Sequence, residues 1–161
     1  MTINVANLQK KVSLNPQRVQ KIITAILRRE GLKKTSLSVA FVTAQKIRAL
    51  NQKFLKHSYP TDVLAFDLTE PFLLKSKFSE NRKFRFLFGK RKLSQWEIII
   101  STDAAIQNAK RFKTSVRDEM TLYVIHGLLH LLGYDDHRSK DVERIRTKEQ
   151  ELLNFLNGKT V

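Results

Sequence analysis

Residues 124–137 read VIHGLLHLLGYDDH, and this stretch decides how the chain is organised and what its site contains. Asp118 to Leu132 predicts a strongly apolar helix, and Gly133 supplies the conformational freedom that ends it. His126 and His130 stand at i and i+4, which puts both imidazoles on one helical face, a turn apart. Two neutral rings so placed can bind one transition metal, with bonds of about 2.0–2.1 Å. Beyond Gly133 the chain turns back, so Asp135-Asp136-His137 can return to the same ion and supply a third ligand. The competing explanation is a pair of ordinary helix histidines. The flanks (Leu122, Val124, Ile125, Leu128, Leu129, Leu131, Leu132) are almost wholly apolar, however. Unpaired polar groups there would cost roughly 1–3 kcal/mol each, and a shared metal satisfies both rings. Zinc peptidases place a glutamate after the first histidine as general base. Here that residue is Gly127, so the constellation points to metal-assisted hydrolysis of something other than peptide.

Outward from this helix, the other elements follow from periodicity and punctuation. Ile3 to Leu8 alternates as a short strand. Asn15-Pro16 is a helix start, with Val19, Ile22, Ile23, Ile26 and Leu27 on one face and Gly31 closing the helix. Leu37–Val42 is a second strand. Thr43 caps a helix carrying Ile47, Leu50 and Phe54. Thr61–Leu68 is a third strand and Trp96–Ser101 a fourth, buried one. Thr102 starts a helix through Ala109, and Lys140–Asn157 forms the last helix, with Val142, Ile145, Leu152, Leu153 and Leu156 inward. The order β-α-β-α-β-β-α-α-α predicts an α/β (α+β) fold, a small mixed sheet packed against several helices.

The chain has 161 residues, one domain's worth, and 42% apolar residues. It carries 30 Lys plus Arg against 15 Asp plus Glu, a formal charge of +15, so polyanions are its natural partners. With no cysteine, disulfides and thiolate metal sites are excluded. The N-terminal residues lack the apolar run of a signal peptide, and no stretch approaches the ~20 apolar residues that span a bilayer. The expectation is a soluble, cytoplasmic protein.

Residues 71–93 differ in composition. Phe72, Phe78, Phe84, Phe86 and Phe88 interleave with Lys75, Lys77, Arg82, Lys83, Arg85, Lys90, Arg91 and Lys92, against a lone Glu80. The alternation fits a strand or hairpin with phenylalanines inward, and the cations are candidate contacts for the phosphates of single-stranded RNA. Thr61 and Asp62 read either as a local turn cap or as groups that orient a metal ligand. Glu97 and Glu119 read as surface or ion-paired residues.

HGLLHLLGYDDH resembles the signature H-G-x-L-H-L-x-G-Y-D-H of the YbeY family, metal-dependent single-strand-specific endoribonucleases of ribosomal RNA maturation. Asn51 with Tyr59-Pro60-Thr61-Asp62-Val63-Leu64-Ala65-Phe66 resembles that family's N-x₈-P-T-[DN]-V-L-S-F block. Glu97-Ile98-Ile99-Ile100-Ser101 resembles its G-D-I-x-I-S strand, with Trp96-Glu97 in place of Gly-Asp. The resemblance implies a zincin-like hydrolase fold holding one zinc ion. It also implies cleavage of ribosomal RNA at the small subunit, including 3′-end maturation, and a part in ribosome quality control.

Two further departures bear on the site. The family's third histidine lies ten residues after the first, where this chain has Asp136, with His137 one further on. Spacing points to Asp136 and imidazole chemistry to His137. The family also has an arginine four residues after the asparagine, and here that position is Leu55. Lys53, Lys56 and His57 are the nearby candidates to supply a cation, though Lys offers a point charge where Arg offers a fork. The rival expectation is a basic, ribosome-associated RNA-binding factor whose metal is structural. A two-histidine, one-carboxylate iron oxygenase is a third reading, less suited to the i, i+4 pair and the basic charge.

Overall fold

The nine elements of the predicted β-α-β-α-β-β-α-α-α order all form among the described residues, and local signals account for several of their ends. The computed structural model describes residues 1–32, 35–57, 59, 61–69 and 95–158. The elements are β1 (Thr2–Asn7), α1 (Pro16–Arg29), β2 (Ser36–Val42), α2 (Ala44–Leu55), β3 (Val63–Asp67), β4 (Gln95–Ser101), α3 (Thr102–Phe112), α4 (Val116–Leu131) and α5 (Ser139–Asn157). Asn15 and Thr43 cap α1 and α2 as expected, accepting from Arg18 N and Lys46 N. Helix α3 runs three residues past Ala109 because its stop is not a glycine. Lys113 adopts the left-handed conformation (φ 57°), and Thr114 N bonds back to Ala109 O. The Phe-rich stretch and its eight cations fall within residues 70–94, outside the described residues.

The four strands form one mixed sheet in the order β1-β2-β4-β3. The first three are parallel, and β3 runs antiparallel along β4, with Val63 opposite Ile100 and Phe66 opposite Glu97. Alternation along the strands divides the interior in two. Leu37, Val39, Phe41, Ile98 and Ile100 face α1, α4 and α5 in the larger core. Ala40, Val42, Leu64, Phe66 and Ile99 face α2 through Ile47 in the smaller one. No helix among the described residues is long and apolar enough to cross a membrane.

Two acidic residues depart from the surface or ion-paired positions expected of them. Glu119 is buried and accepts a hydrogen bond from Thr114 Oγ1 at 2.5 Å. Glu97 is 1% exposed, and neither carboxylate oxygen has a hydrogen-bond partner among the described residues. The period of two explains this. Ile98 and Ile100 must face the larger core, so Glu97 points with Ile99 into the smaller one. Desolvation there pushes its pKa from 4.5 up to about 8, so the group is a neutral acid at pH 7.

Candidate metal centre

Helix α4 is held at both ends by its own sequence. Ser115 Oγ accepts from Asp118 N at 3.1 Å, and Asp118 and Glu119 place negative charge at the positive end of the helix. At the other end Gly133 (φ 89°) closes a Schellman turn. Its N–H bonds to His130 O, and Tyr134 N–H bonds to Leu129 O. This turn brings Tyr134 O within 3.1 Å of His130 Nδ1 and returns the acidic stretch to the two rings.

Gly127, between the histidines, packs against the sheet. A Cβ there would lie 2.8 Å from Ile98 Cγ2 and 3.2 Å from Val63 Cγ1. The position that carries the general base in zinc peptidases is thus pressed onto β3 and β4, with no room for a glutamate.

Three donor atoms converge at the mouth of this turn. His126 Nε2 and His130 Nε2 are 2.9 Å apart, and Asp136 Oδ2 lies 3.8 Å from the first and 3.7 Å from the second. A tetrahedral site with bonds of about 2.0–2.1 Å has donor–donor edges of about 3.3 Å, and the three observed edges bracket that value. The outer nitrogens have partners of their own. His126 Nδ1 is 2.6 Å from Glu149 Oε1 on α5, and His130 Nδ1 faces the Tyr134 carbonyl. Neither partner can donate, so both rings carry their proton on Nδ1 and direct the Nε2 lone pair inward. Two lone pairs and a carboxylate facing one another call for a cation between them.

The electrostatics agree. Burial works to lower the His126 pKa, but the hydrogen bond and charge of Glu149, with Asp62 and Asp136 behind it, hold it above the ordinary 6.5. Burial and the neighbouring His126 hold His130 below it. The field of Glu149, Asp62 and Asp136 that draws a proton to His126 also draws a metal ion.

The structure therefore brings His126, His130 and Asp136 into one group able to hold a metal. His137 stands in a second such group, with Asp135 and Asp136, its side chain 82% exposed and its Nδ1 bonded to Asp135 Oδ1. That bond holds its pKa above the ordinary value. Thr61 and Asp62 act as local caps at the start of β3. Asp62 Oδ1 accepts from Val63 N at 2.9 Å, and Thr61 Oγ1 donates to Val63 O at 3.0 Å. Asp62 adds charge toward His126 without bonding to the ring. The ring's partner is Glu149, which sequence reasoning passed over. Its signal was present: Glu149 stands four residues after Ile145 and three before Leu152, on the inward stripe of α5.

Lys53, Lys56 and His57 lie at the end of α2. Lys53 Nζ is 5.5 Å from the centre of the Phe54 ring, and Lys56 (φ 61°) terminates the helix. His57 is stacked on Tyr59. Leu55 is 42% exposed and presents no cation.

The chain is similar to known proteins over nearly its whole length. The family described as Endoribonuclease YbeY matches residues 4–157. An Endoribonuclease YbeY of Syntrophus aciditrophicus is 33% identical over 160 residues, covering 98% of this chain and 91% of its own. One from Salinibacter ruber is 35% identical over 133 residues, covering 83% of this chain and 78% of its own. Among solved structures, the solution structure of TM1509 from Thermotoga maritima superposes with a TM-score of 0.62 at 25% identity, covering 98% of this chain and 91% of that one. With the family matched over residues 4–157 and a relative 33% identical covering 98% of the chain, the chain belongs to the YbeY family of endoribonucleases.

Proposed function

We propose that this chain, acting as one domain over residues 1–161, is a zinc-dependent endoribonuclease that cuts single-stranded RNA. Its place is in ribosomal RNA processing at the small subunit, including 3′-end maturation and ribosome quality control, in the cytoplasm. The observation that carries the reading is the convergence of His126 Nε2, His130 Nε2 and Asp136 Oδ2 with both Nδ1 atoms occupied elsewhere. Nitrogen and carboxylate donors of this number suit one zinc ion and leave a coordination position open. When bound, the ion supplies a Lewis acid for the phosphoryl oxygen and a water of lowered pKa.

The rest of the work falls to the chain. Glu149 and the Tyr134 carbonyl hold both rings in the tautomer that presents Nε2. Gly127 keeps a peptidase base out of the site. The excess of 15 positive charges draws in the phosphate backbone, so binding weakens steeply with salt. The cations of residues 75–92 are the proposed phosphate contacts. Asp136 is the proposed third ligand, and His137 is bonded to Asp135 instead.

The test is cleavage of single-stranded against duplex RNA, with and without chelator. Single-strand cleavage abolished by chelator and restored by zinc is expected. Cleavage indifferent to chelator, or none with any metal, refutes the reading. Asp136→Ala should weaken zinc binding and His137→Ala should leave it intact; the reverse order makes His137 the ligand.

The exposed Leu55 favours one second reading, a non-catalytic RNA-binding factor with a structural ion. His126→Ala separates the two: a structural ion predicts unfolding, a catalytic one a folded and inactive protein.

A further inference from the structure

From Ala44 to Thr61 the chain holds Lys46, Arg48, Lys53 and Lys56 and no acidic residue. At the end of this cationic stretch two aromatic rings lie stacked in the open. The His57 and Tyr59 ring centres are 5.0 Å apart with an interplanar angle of 19°, and Tyr59 Oη is 3.0 Å from His57 Nδ1. Both residues are exposed, Tyr59 by 58%. An exposed pair buries little surface and so adds little to the core.

The pair is nevertheless held in place. Asn51, only 1% exposed on the inner face of α2, donates Nδ2 to the Tyr59 carbonyl at 2.9 Å. The hydrogen bond between the rings fixes one against the other. A flat, pre-ordered aromatic face loses little entropy when a second flat group lies on it.

The position of the pair bears on the metal centre. Val63, four residues beyond Tyr59, packs against Gly127, the neighbour of His126. Four residues of extended chain span at most about 14 Å. Asp62, in between, is close enough for its charge to act on His126. A ligand on the rings is therefore within reach of the donor group, and Lys53 and Lys56 are close to the rings in sequence.

We propose that His57 and Tyr59 form a stacking platform for one unpaired nucleobase of the RNA strand, with Lys53 and Lys56 neutralising the phosphates beside it. This rests on the endoribonuclease reading and deepens it. Bases stack on tyrosine and histidine faces only when they are out of a duplex, and stacking tolerates any base. The platform thus selects for single strands without reading sequence. It also supplies, by ring and ammonium, a hold on substrate that Leu55 cannot give.

The experiment titrates the zinc-loaded full chain with a short, labelled, fully 2′-O-methyl phosphorothioate RNA, a cleavage-resistant single strand, and follows anisotropy. Tyr59→Ala and His57→Ala are expected to weaken binding about ten- to hundredfold, while Tyr59→Trp stays within about twofold because any aromatic face serves. Zinc affinity is expected to be unchanged in all three, and KM for unmodified RNA to rise more than kcat falls. Equal binding by wild type and Tyr59→Ala overturns the platform. So does a parallel loss of zinc affinity, or equal binding of a probe with abasic positions. If wild type binds the strand through Tyr59 but cuts no RNA, the platform stands and the nuclease reading falls. If it cuts RNA with zinc and ignores Tyr59→Ala, the opposite holds.

Discussion

Glu97→Gln should make this protein more stable, and by an amount that depends on pH. The carboxyl is 1% exposed, with both oxygens unpartnered among the described residues, and its pKa rises from 4.5 to about 8 on folding. A raised acid pKa means that the folded state holds a proton the unfolded chain gives up. Below 4.5 both states are protonated and nothing is lost. Between 4.5 and about 8 each pH unit removes about 1.4 kcal/mol of stability, and above that the loss levels off. The accumulated cost is about 3 kcal/mol at pH 7 and about 5 kcal/mol at pH 9. Glutamine has nearly the same shape and no charge to lose, so it retains the neutral acid's contacts without this cost. With a urea m-value of roughly 2 kcal/mol per M, the variant's midpoint should exceed wild type by roughly 1.5 M at pH 7 and by much less at pH 5. Urea melts of both proteins from pH 5 to 9 provide the measurement. The difference isolates Glu97, because every other titrating group is common to both. Midpoint curves that run parallel over this range would show Glu97 to be ionised and paired in solution, and the reasoning would be wrong.

Other outcomes follow from the same geometry. Glu149→Gln should weaken zinc binding about 10–100-fold in a chelator competition, because the amide loses the charge that holds Nδ1–H of His126; an unchanged affinity makes the contact incidental. Zinc at 100 times its dissociation constant should stabilise wild type by about 2.7 kcal/mol in thermal melts, and His130→Ala should show almost none of that gain. Ser115→Ala should cost about 1 kcal/mol in denaturant melts through the lost cap of α4. Gly127→Ala should destabilise by about 1–3 kcal/mol from overpacking on Ile98, partly offset by better helix propensity; a net gain in stability would show that α4 can lift from the sheet at little cost.

The local signals were legible in the sequence because they act between near neighbours. Asn15-Pro16, Thr43 and Gly133 each set a helix end through contacts within about four residues. The spacing of His126 and His130 puts both on one face of any helix. These were enough to predict the order of the nine described elements and the histidine pair at the centre. The stop at Lys113 was not legible, since a lysine in the left-handed region carries no signal of its own.

Sequence by itself thus determined the helix that carries the site, the two imidazoles and the turn that follows them. Tertiary structure put an Asp136 oxygen within 3.8 Å of both imidazole Nε2 atoms and paired His137 with Asp135, because both depend on where the turn after Gly133 is held. It also decided that Glu149, 23 residues away on α5, is the partner of His126. The fate of Glu97 was settled the same way: only when β3, β4 and α2 close around it does a charged residue become a neutral one. Hydrogen-bond periodicity reaches across one turn or one strand pair, whereas burial and charge are set by whatever the rest of the chain brings near.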